Sequence, residues 1–307
     1  RGLGDVYKRQ VQILMNLVMI SMMLLQLARG KACAERVVEV LDTEIDIVNP
    51  ENAFVPTEPK GEVEFKNVSF KYDPESHGDN ILENISFKAK PGQIVGIVGG
   101  TGCGKSSLVN LIPRLYDATQ GEVLVDGVDV KKYDLKALRE MIGVVLQKNV
   151  LFSGTIEENI RWGKKDATHE EIVAACKAAQ ADGFINEQPD GYNTYLAQGG
   201  LNLSGGQKQR LCIARAMIKK PKILILDDST SAVDTATEAK IRESFYGDLK
   251  DTTVFIIAQR ISSVKDADEI LVVDDGKIKG VGNHDELIKT NEIYQEIYNT
   301  QQKGVLE

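Results

Sequence analysis

The pattern of apolar and polar residues changes sharply along the first part of the chain. Residues 11–28 carry no charge and form an apolar run, close to the roughly 20 residues that a helix needs to cross a bilayer. Residues 29–42 are charged and amphipathic, which predicts that the same helix continues into water. Polar residues interrupt the apolar run at roughly helical spacing, so a buried helix of a soluble protein is the alternative: Gln12, Asn16, Ser21 and Gln26.

Residues 49–60 contain three of the eight prolines and no periodicity. Proline excludes helix and restricts the residue before it, so this stretch predicts an extended linker. We therefore expect a domain boundary near Gly61, with residues 11–48 forming one helical segment and its extension.

Short β-rich runs alternate with helical stretches from Gly61 onward, which is typical of a mixed α/β domain with parallel strands. Between Leu151 and Leu211 strand signals are few, and Thr168 with Glu171 forms a candidate capping box at the start of a helix. We predict a helical insertion at about residues 151–211. The strand candidates are VEFKNVSF, IVGIVG, EVLVDG, ILIL, TVFII and EILVVDDG.

Composition narrows the class of protein. The 307 residues are 42% hydrophobic and 27% charged, as in an ordinary globular protein. The net charge of −8 argues against a nucleic-acid partner, because phosphate contacts need clustered Lys and Arg. The four cysteines form no C-x-x-C pair, which favours a reducing compartment without a disulfide framework or zinc site.

Residues 1–10 resemble a sequence introduced during library preparation. The chain begins with Arg1, and the stretch from Asp5 to Gln10 resembles the in-frame translation of a transposon adapter used in preparing sequencing libraries. We therefore expect residues 1–10 not to be native. A genomic clone that encodes them intact would contradict this expectation.

A glycine-rich loop follows the strand IVGIV and precedes an apolar helical stretch, which is the context of a phosphate-binding P-loop. Its glycines let backbone N–H groups converge on phosphates. Lys105 would reach the β- and γ-phosphates, and the Ser106 hydroxyl would ligate Mg²⁺. The loop and the first helical residues are Gly99, Gly100, Thr101, Gly102, Cys103, Gly104, Lys105, Ser106 and Ser107.

A second motif is the apolar run from Ile223 to Leu226, which ends in Asp227. A buried parallel strand would deliver this carboxylate to its C-terminal edge, where it could hold Mg²⁺. The run is a weak signal by itself, but together with the P-loop it is a good Walker B candidate.

The decisive motif is LSGGQ, followed by the helical run KQRLCIARAMIKK. It is similar to the signature of ABC transporters, and residues 61–302 follow the motif order of an ABC nucleotide-binding domain with a helical subdomain. The resemblance implies an α/β P-loop ATPase fold and two domains docked head to tail, each signature lying against the partner's ATP. A helix N-terminus would then face the γ-phosphate. The signature residues are Leu203, Ser204, Gly205, Gly206 and Gln207.

Three further residues match family positions. Tyr72 resembles the aromatic residue that stacks on adenine, with a core tyrosine of a strand as the alternative. Gln147 resembles the Q-loop glutamine that touches Mg²⁺ or the attacking water, with an ordinary surface glutamine as the alternative. Asp234 resembles the D-loop aspartate that communicates across the dimer, and it could equally be the N-cap of the following helix.

Two residues depart from the family pattern. Asp228 stands where catalytically competent members carry a glutamate as general base, and its carboxylate would lie roughly 1.5 Å further from the attacking water. Gln259 stands at the switch histidine and cannot carry a proton or a positive charge. With an intact signature, these departures resemble the weakly hydrolytic half of a heterodimeric exporter.

The resemblance implies an ATP-hydrolysing subunit of an ABC exporter that uses ATP and Mg²⁺. We expect residues 11–48 to be the end of the last transmembrane helix, with the ATPase domain on the cytoplasmic side of the cell membrane. The expected partners are its own transmembrane domain and a second half-transporter, in a heterodimer or, alternatively, a homodimer. Two rival interpretations are a regulatory nucleotide-binding subunit without hydrolysis and a soluble, non-transport ABC ATPase.

Overall fold

The computed structural model of the chain describes residues 2–73, 78–229, 232–247 and 249–303. The chain divides into two compact units, Arg1–Val48 and Asn49–Glu307. The first unit is one helix, α1 (Gly2–Leu41), so a single helix covers both the apolar run and the amphipathic extension, and it includes residues 2–10. None of its residues is buried. Within the described residues, α1 is the one helix long and apolar enough to cross a membrane, and an 18-residue window of it has a mean hydropathy of 1.9.

In the part of the second unit that the structure describes, the strands form three sheets. The strands, in chain order, are β1 (Val63–Phe70), β2 (Leu82–Ala89), β3 (Ile94–Val98), β4 (Gln120–Val125), β5 (Val128–Asp129), β6 (Ile142–Val145), β7 (Gly154–Thr155), β8 (Tyr195–Leu196), β9 (Ile223–Asp227), β10 (Thr253–Ile257), β11 (Glu269–Asp274) and β12 (Lys277–Gly282).

Helices cover the sheets and form the insertion. After α1 they are α2 (Lys105–Asn110), α3 (Leu135–Glu140), α4 (Ile156–Arg161), α5 (His169–Ala178), α6 (Asp182–Asn186), α7 (Gly205–Met217), α8 (Thr235–Gly247), α9 (His284–Thr290) and α10 (Glu292–Lys303).

A six-stranded sheet with the order β12-β11-β3-β10-β9-β6 forms the centre of the domain. Strands β11, β3, β10, β9 and β6 are parallel, and β12 is an antiparallel edge. Both faces are covered, so successive residues of one strand enter different cores. Leu224 and Leu226 pack in the core that contains the helical insertion, whereas Ile223 and Ile225 pack with the second sheet. This double coverage explains the continuous apolar runs.

A second sheet, which is antiparallel, makes the domain a mixed α/β structure. Strands β2, β1, β4 and β5 form an antiparallel sheet of four, so two of the predicted strands, β1 and β4, do not join the parallel sheet. Strand β2 alternates between buried and exposed residues over much of its length, as expected for a sheet with one solvated face.

The insertion contains the predicted helices. The capping box at Thr168 and Glu171 is confirmed, because Thr168 Oγ1 accepts from the Glu171 N–H and the Glu171 carboxylate accepts from the Thr168 N–H. The last helix of the region, α7, extends past Leu211 to Met217, and β7 and β8 form a small antiparallel pair.

The segment at residues 49–60 is held along the second unit by specific contacts. Asn49 Oδ1 accepts from the Leu135 N–H at the start of α3, at 2.8 Å. The Phe54 ring meets the buried Tyr133 ring edge-on, with centroids 5.1 Å apart. At the end of the segment, the Asp126 carboxylate accepts three backbone N–H bonds, from Lys60, Gly61 and Glu62. The segment is therefore an ordered part of the second unit.

Candidate nucleotide-binding site

The glycine-rich loop connects β3 to α2 at the carboxyl edge of the parallel sheet, where ligands of such sheets bind. Gly104 has a φ of 97°, a conformation that residues with a side chain rarely adopt. At Gly99 a Cβ atom would lie 2.0 Å from the carbonyl oxygen of Val273. The loop conformation therefore requires glycine at both positions.

The Lys105 ammonium group lies against the loop itself. Its Nζ donates to the carbonyl oxygens of Gly99 and Gly100, at 2.9 and 2.6 Å. It also lies 3.7 Å from Cys103 Sγ. A lysine held in this way is placed at the centre of the loop, where phosphate oxygens could replace the carbonyl contacts.

Ser106 and Asp227 meet although they are far apart in sequence. The Ser106 hydroxyl donates to Asp227 Oδ1 at 3.1 Å. Asp227 ends β9 and is 8% exposed, and this burial raises the pKa of its carboxyl group. The two oxygens are hard ligands of the kind that Mg²⁺ prefers. A buried carboxylate whose charge is unfavourable in the free protein fits a site made for a cation.

Asp228 lies next to this pair in a left-handed conformation with a φ of 47°. Gln259 Nε2 donates to Asp228 Oδ2 at 2.7 Å, and the Gln147 side chain also hydrogen-bonds the Asp228 carboxylate. Burial raises the pKa of Asp228, and these two hydrogen bonds work in the opposite direction.

Strand order explains why these side chains converge. Strand β9 lies between β6 and β10, and Ile257 is the register partner of Asp227. Gln147 follows β6, Asp228 follows β9 and Gln259 follows β10. All three therefore emerge at the same edge, beside the loop that follows β3.

A cleft of about 450 Å³ contains most of the predicted site residues. It is lined by loop residues between Gly99 and Ser106, by Gln147, Asp227, Asp228 and Gln259, and by α10. A larger cleft, of about 750 Å³, is lined by Arg260, His284 and Tyr298 among others and contains none of the predicted phosphate-binding residues. The smaller cleft is therefore the candidate nucleotide site.

The signature residues are not among the residues that line this cleft. Ser204 is the N-cap of α7: its hydroxyl accepts from the Gln207 N–H, while the Gln207 side chain accepts from the Ser204 N–H. Ser204 and Gly205 are exposed. Gly206 lies so close to Ala232 that a Cβ atom would approach the Ala232 carbonyl oxygen at 2.8 Å. The chain therefore presents an exposed helix N-terminus away from its own cleft.

Comparison with known proteins identifies this arrangement. Residues 82–231 match the family model described as "ABC transporter". The chain contains an ABC transporter nucleotide-binding domain. Such a domain is an ATPase and binds ATP.

Similar proteins include several with exporter names. An uncharacterized ABC transporter ATP-binding protein of Bacillus subtilis is 46% identical over 91% of this chain and 47% of its own length. A putative multidrug export ATP-binding/permease protein of the same species is 45% identical over 90% of this chain and 47% of its own. An ATP-dependent lipid A-core flippase of Haemophilus influenzae is 44% identical over 91% and 47%.

A solved structure is also similar. It is that of a bacterial Atm1-family ABC exporter with ATP bound, with a TM-score of 0.83 and 37% identity, covering 89% of this chain and 47% of that one. The chain spans about half the length of the curated relatives it matches.

Tyr72 and Asp234, like the signature residues, do not line the cleft. Tyr72 follows β1 and is 51% exposed, so it is not a core tyrosine. Its hydroxyl is 2.9 Å from Ser107 Oγ, which places the ring beside α2. Asp234 is the N-cap of α8, as its Oδ1 accepts from the Thr237 N–H at 2.9 Å.

No pattern in the sequence indicated the contribution from α10. Its residues Glu296, Ile297, Thr300 and Gln301 line the same cleft as the glycine-rich loop. Tyr116, whose ring meets that of Tyr72 edge-on with centroids 4.9 Å apart, was also missed. Tyr116 could have been noticed as an aromatic residue that follows the glycine-rich loop closely in sequence. Helix α10 lies far from the loop in sequence, so motif spacing could not connect it to the cleft.

Proposed function

We propose that this chain is the ATP-binding and hydrolysing subunit of an ABC exporter, in which ATP-driven association of two nucleotide-binding domains powers transport across a membrane. The observation that carries the proposal is the apolar helix α1 directly before an ABC ATPase domain in one chain. This arrangement fits an exporter with fused domains better than a separate ATPase subunit. Two similar proteins, a putative multidrug export protein and a lipid A-core flippase, support it.

The residues of the cleft fit ATP with Mg²⁺. Lys105 and the loop N–H groups would hold the β- and γ-phosphates. Ser106, Asp227 and Gln147 would hold Mg²⁺, which would neutralise charge on the phosphate oxygens. The Tyr72 ring would stack on adenine, and its hydrogen bond to Ser107 would fix its position relative to the glycine-rich loop.

This chain's own ATP site is weakly hydrolytic in our proposal. Asp228 would have to activate the attacking water, but its short side chain limits its hydrogen-bond reach. Its carboxylate is also engaged by Gln259 at 2.7 Å. Gln259 can donate to a γ-phosphate but cannot supply a positive charge. The Asp228 carboxylate and the Gln259 amide are therefore hydrogen-bonded to each other rather than to an attacking water molecule.

The signature, in contrast, is complete and would serve a partner. The exposed N-terminus of α7, capped by Ser204, carries a partial positive charge suited to the γ-phosphate of ATP held by a second half-transporter. Asp234, next to this region, would communicate across the dimer. A heterodimer with a subunit that carries Glu and His at the two altered positions follows from this asymmetry, and a homodimer is the alternative.

The membrane arrangement follows from α1. Residues 11–48 would be the end of the last transmembrane helix, with the rest of the transmembrane domain in the full-length chain. The ATPase domain would lie on the cytoplasmic side, where ATP is available, and no nucleic-acid partner is expected of a chain with a net charge of −8.

Steady-state phosphate release by the assembled full-length transporter tests the proposal. ATP-dependent release that is stimulated by a transported compound, and abolished when both ATP sites are disabled, supports an exporter ATPase. Nucleotide binding without any release at either site would instead favour a regulatory subunit. A full-length gene product that partitions away from membranes would favour a soluble ABC ATPase.

A further inference from the structure

Gln301 of α10 holds the loop that carries Gln259. Its Nε2 donates to the carbonyl oxygen of Gln259 at 2.7 Å, and its Oε1 accepts from the N–H of Ile261 at 2.9 Å. One side-chain amide thus fixes backbone groups on both sides of Arg260. Both contacts are made to the main chain, so they do not depend on which side chain occupies position 259.

Helix α10 is a firm support for this contact. Tyr294 is fully buried, and its hydroxyl is 2.8 Å from His284 Nδ1. Gln295 Nε2 donates to the carbonyl oxygen of Ile288 at 2.9 Å, and Ile297 packs against the core of the domain. The helix is therefore anchored to the domain ahead of Gln301, and the position of the Gln301 amide is determined by that packing.

The held loop leads directly to the site of hydrolysis. Gln259 donates to Asp228 at 2.7 Å, and both residues line the cleft together with Gln301. We propose that Gln301 is a positioning residue for this ATP site: it sets the backbone of residues 259–261 so that the side chain at position 259 meets residue 228 and the γ-phosphate. Helix α10 therefore contributes to the geometry of the ATP site. The inference rests on the proposed function in so far as residue 259 serves the γ-phosphate.

Amide hydrogen exchange tests the contact without requiring hydrolysis. In the full-length chain assembled with its partner, Gln301→Ala should accelerate exchange of the Ile261 N–H by about fivefold or more, because its acceptor is lost. Gln301→Glu keeps an acceptor and should have a smaller effect. Gln302→Ala, a change at the exposed neighbouring residue, is the matched control and should leave exchange unchanged. Unaltered exchange at Ile261 in Gln301→Ala would overturn the proposal.

Kinetics then separate positioning from a general loss of stability. In the background Asp228→Glu with Gln259→His, opposite a partner whose own ATP site is disabled so that turnover reports on this site, Gln301→Ala should lower kcat by about tenfold or more, with KM for ATP changed less than about twofold, since a displaced group costs turnover rather than binding. A raised KM with unchanged kcat would overturn the positioning role. If the double background gains no hydrolysis, the proposed weak site is wrong, and the exchange result decides the role of Gln301.

Discussion

Gln259 Nε2 donates a hydrogen bond of 2.7 Å to Asp228 Oδ2. We expect these two positions to depart from the pattern of hydrolytic ABC domains, and in the structure their side chains are direct hydrogen-bond partners. A shorter carboxylate and an uncharged amide satisfy each other in the free protein. A change at one position therefore leaves the other without its partner, and the two substitutions should be coupled.

Nucleotide binding should depend on Lys105. Because its ammonium is the cationic group held at the centre of the glycine-rich loop, Lys105→Ala should weaken ATP binding by at least about tenfold. Equilibrium titration with a fluorescent ATP analogue measures the loss. Lys136→Ala, which removes an exposed lysine of α3, is the control, and equal affinities for both variants would show that Lys105 is not a phosphate ligand.

The boundary of the ATPase domain should lie at Asn49 rather than at Gly61. A chain starting at either residue should be soluble and monomeric without a partner, but the one starting at Asn49 should be more stable. It keeps the Phe54–Tyr133 ring pair, worth about 1 kcal/mol, and the Asn49 contact to α3.

Urea unfolding of the two chains, with Phe54→Ala in the longer one, measures this difference. The Phe54→Ala variant should lose part of the advantage. Equal stability of the two chains would show that residues 49–60 contribute nothing to folding. Aggregation of both truncated chains, with the full 307-residue chain soluble without detergent, would place α1 in a globular core.

Asp227 should reduce the stability of the nucleotide-free protein near neutral pH. Burial raises the pKa of its carboxyl group, so the folded state holds the proton more tightly than the unfolded state does. The contribution of Asp227 to the free energy of unfolding is fully present below the ordinary aspartate pKa of about 4, and it is lost as the pH rises through the pKa of the folded state.

Asp227→Asn should therefore raise the melting temperature at pH 7 without Mg²⁺, and this gain should shrink as the pH falls towards about 4. Asparagine can still accept the Ser106 hydrogen bond. The same variant should lose the additional stability that Mg²⁺ and ATP give the wild type. A gain that grows on acidification would contradict the assigned direction of the pKa shift.

The sequence was sufficient for the elements with a strong local pattern. Runs such as TVFII coincide with β10 because a doubly covered strand is apolar at every position. Strands β5, β7 and β8 are two residues long, too short to show any period. Strand β2 was missed although it partly alternates, since charged and polar residues occupy half of the run LENISFKA.

The candidate site also contains some residues that local sequence predicts and some contacts that it does not. The glycine-rich loop and Asp227 were predictable because spacing and the neighbouring strand determine their place. The contact between Asp228 and Gln259 depends on β9 and β10 being neighbours in register, and the contact of Gln301 depends on how α10 packs. Neither is encoded in local pattern, because both are long-range consequences of topology.

The last prediction concerns the asymmetry between the two places where this chain would meet ATP. In the proposed arrangement, Asp228 and Gln259 belong to its own site, whereas the exposed N-terminus of α7 would serve the partner's. A positioned general base contributes about 10² to 10⁴ in rate, so most hydrolysis should already come from the partner's site. Asp228→Asn should therefore leave most of the ATPase activity of the heterodimer, while Ser204→Arg should abolish most of it.

The assay is steady-state phosphate release at saturating ATP, with each variant opposite a wild-type partner. Because Ser204 also caps α7, melting temperatures are measured in parallel; loss of the cap alone costs about 1 kcal/mol.

Ser204→Asn keeps a cap without bulk or charge, and Ser86→Arg places an arginine at an exposed serine of β2 that is hydrogen-bonded to Asn67. Turnover lost with Ser204→Arg but kept with Ser86→Arg assigns the loss to the signature helix, because the added charge is the same in both variants and the melting temperatures account for folding. Restoring hydrolysis at this chain's own site should require both Asp228→Glu and Gln259→His, as the two side chains are hydrogen-bonded to each other. If Asp228→Asn stops turnover as completely as Ser204→Arg does, this site is catalytically active and the asymmetric arrangement is wrong.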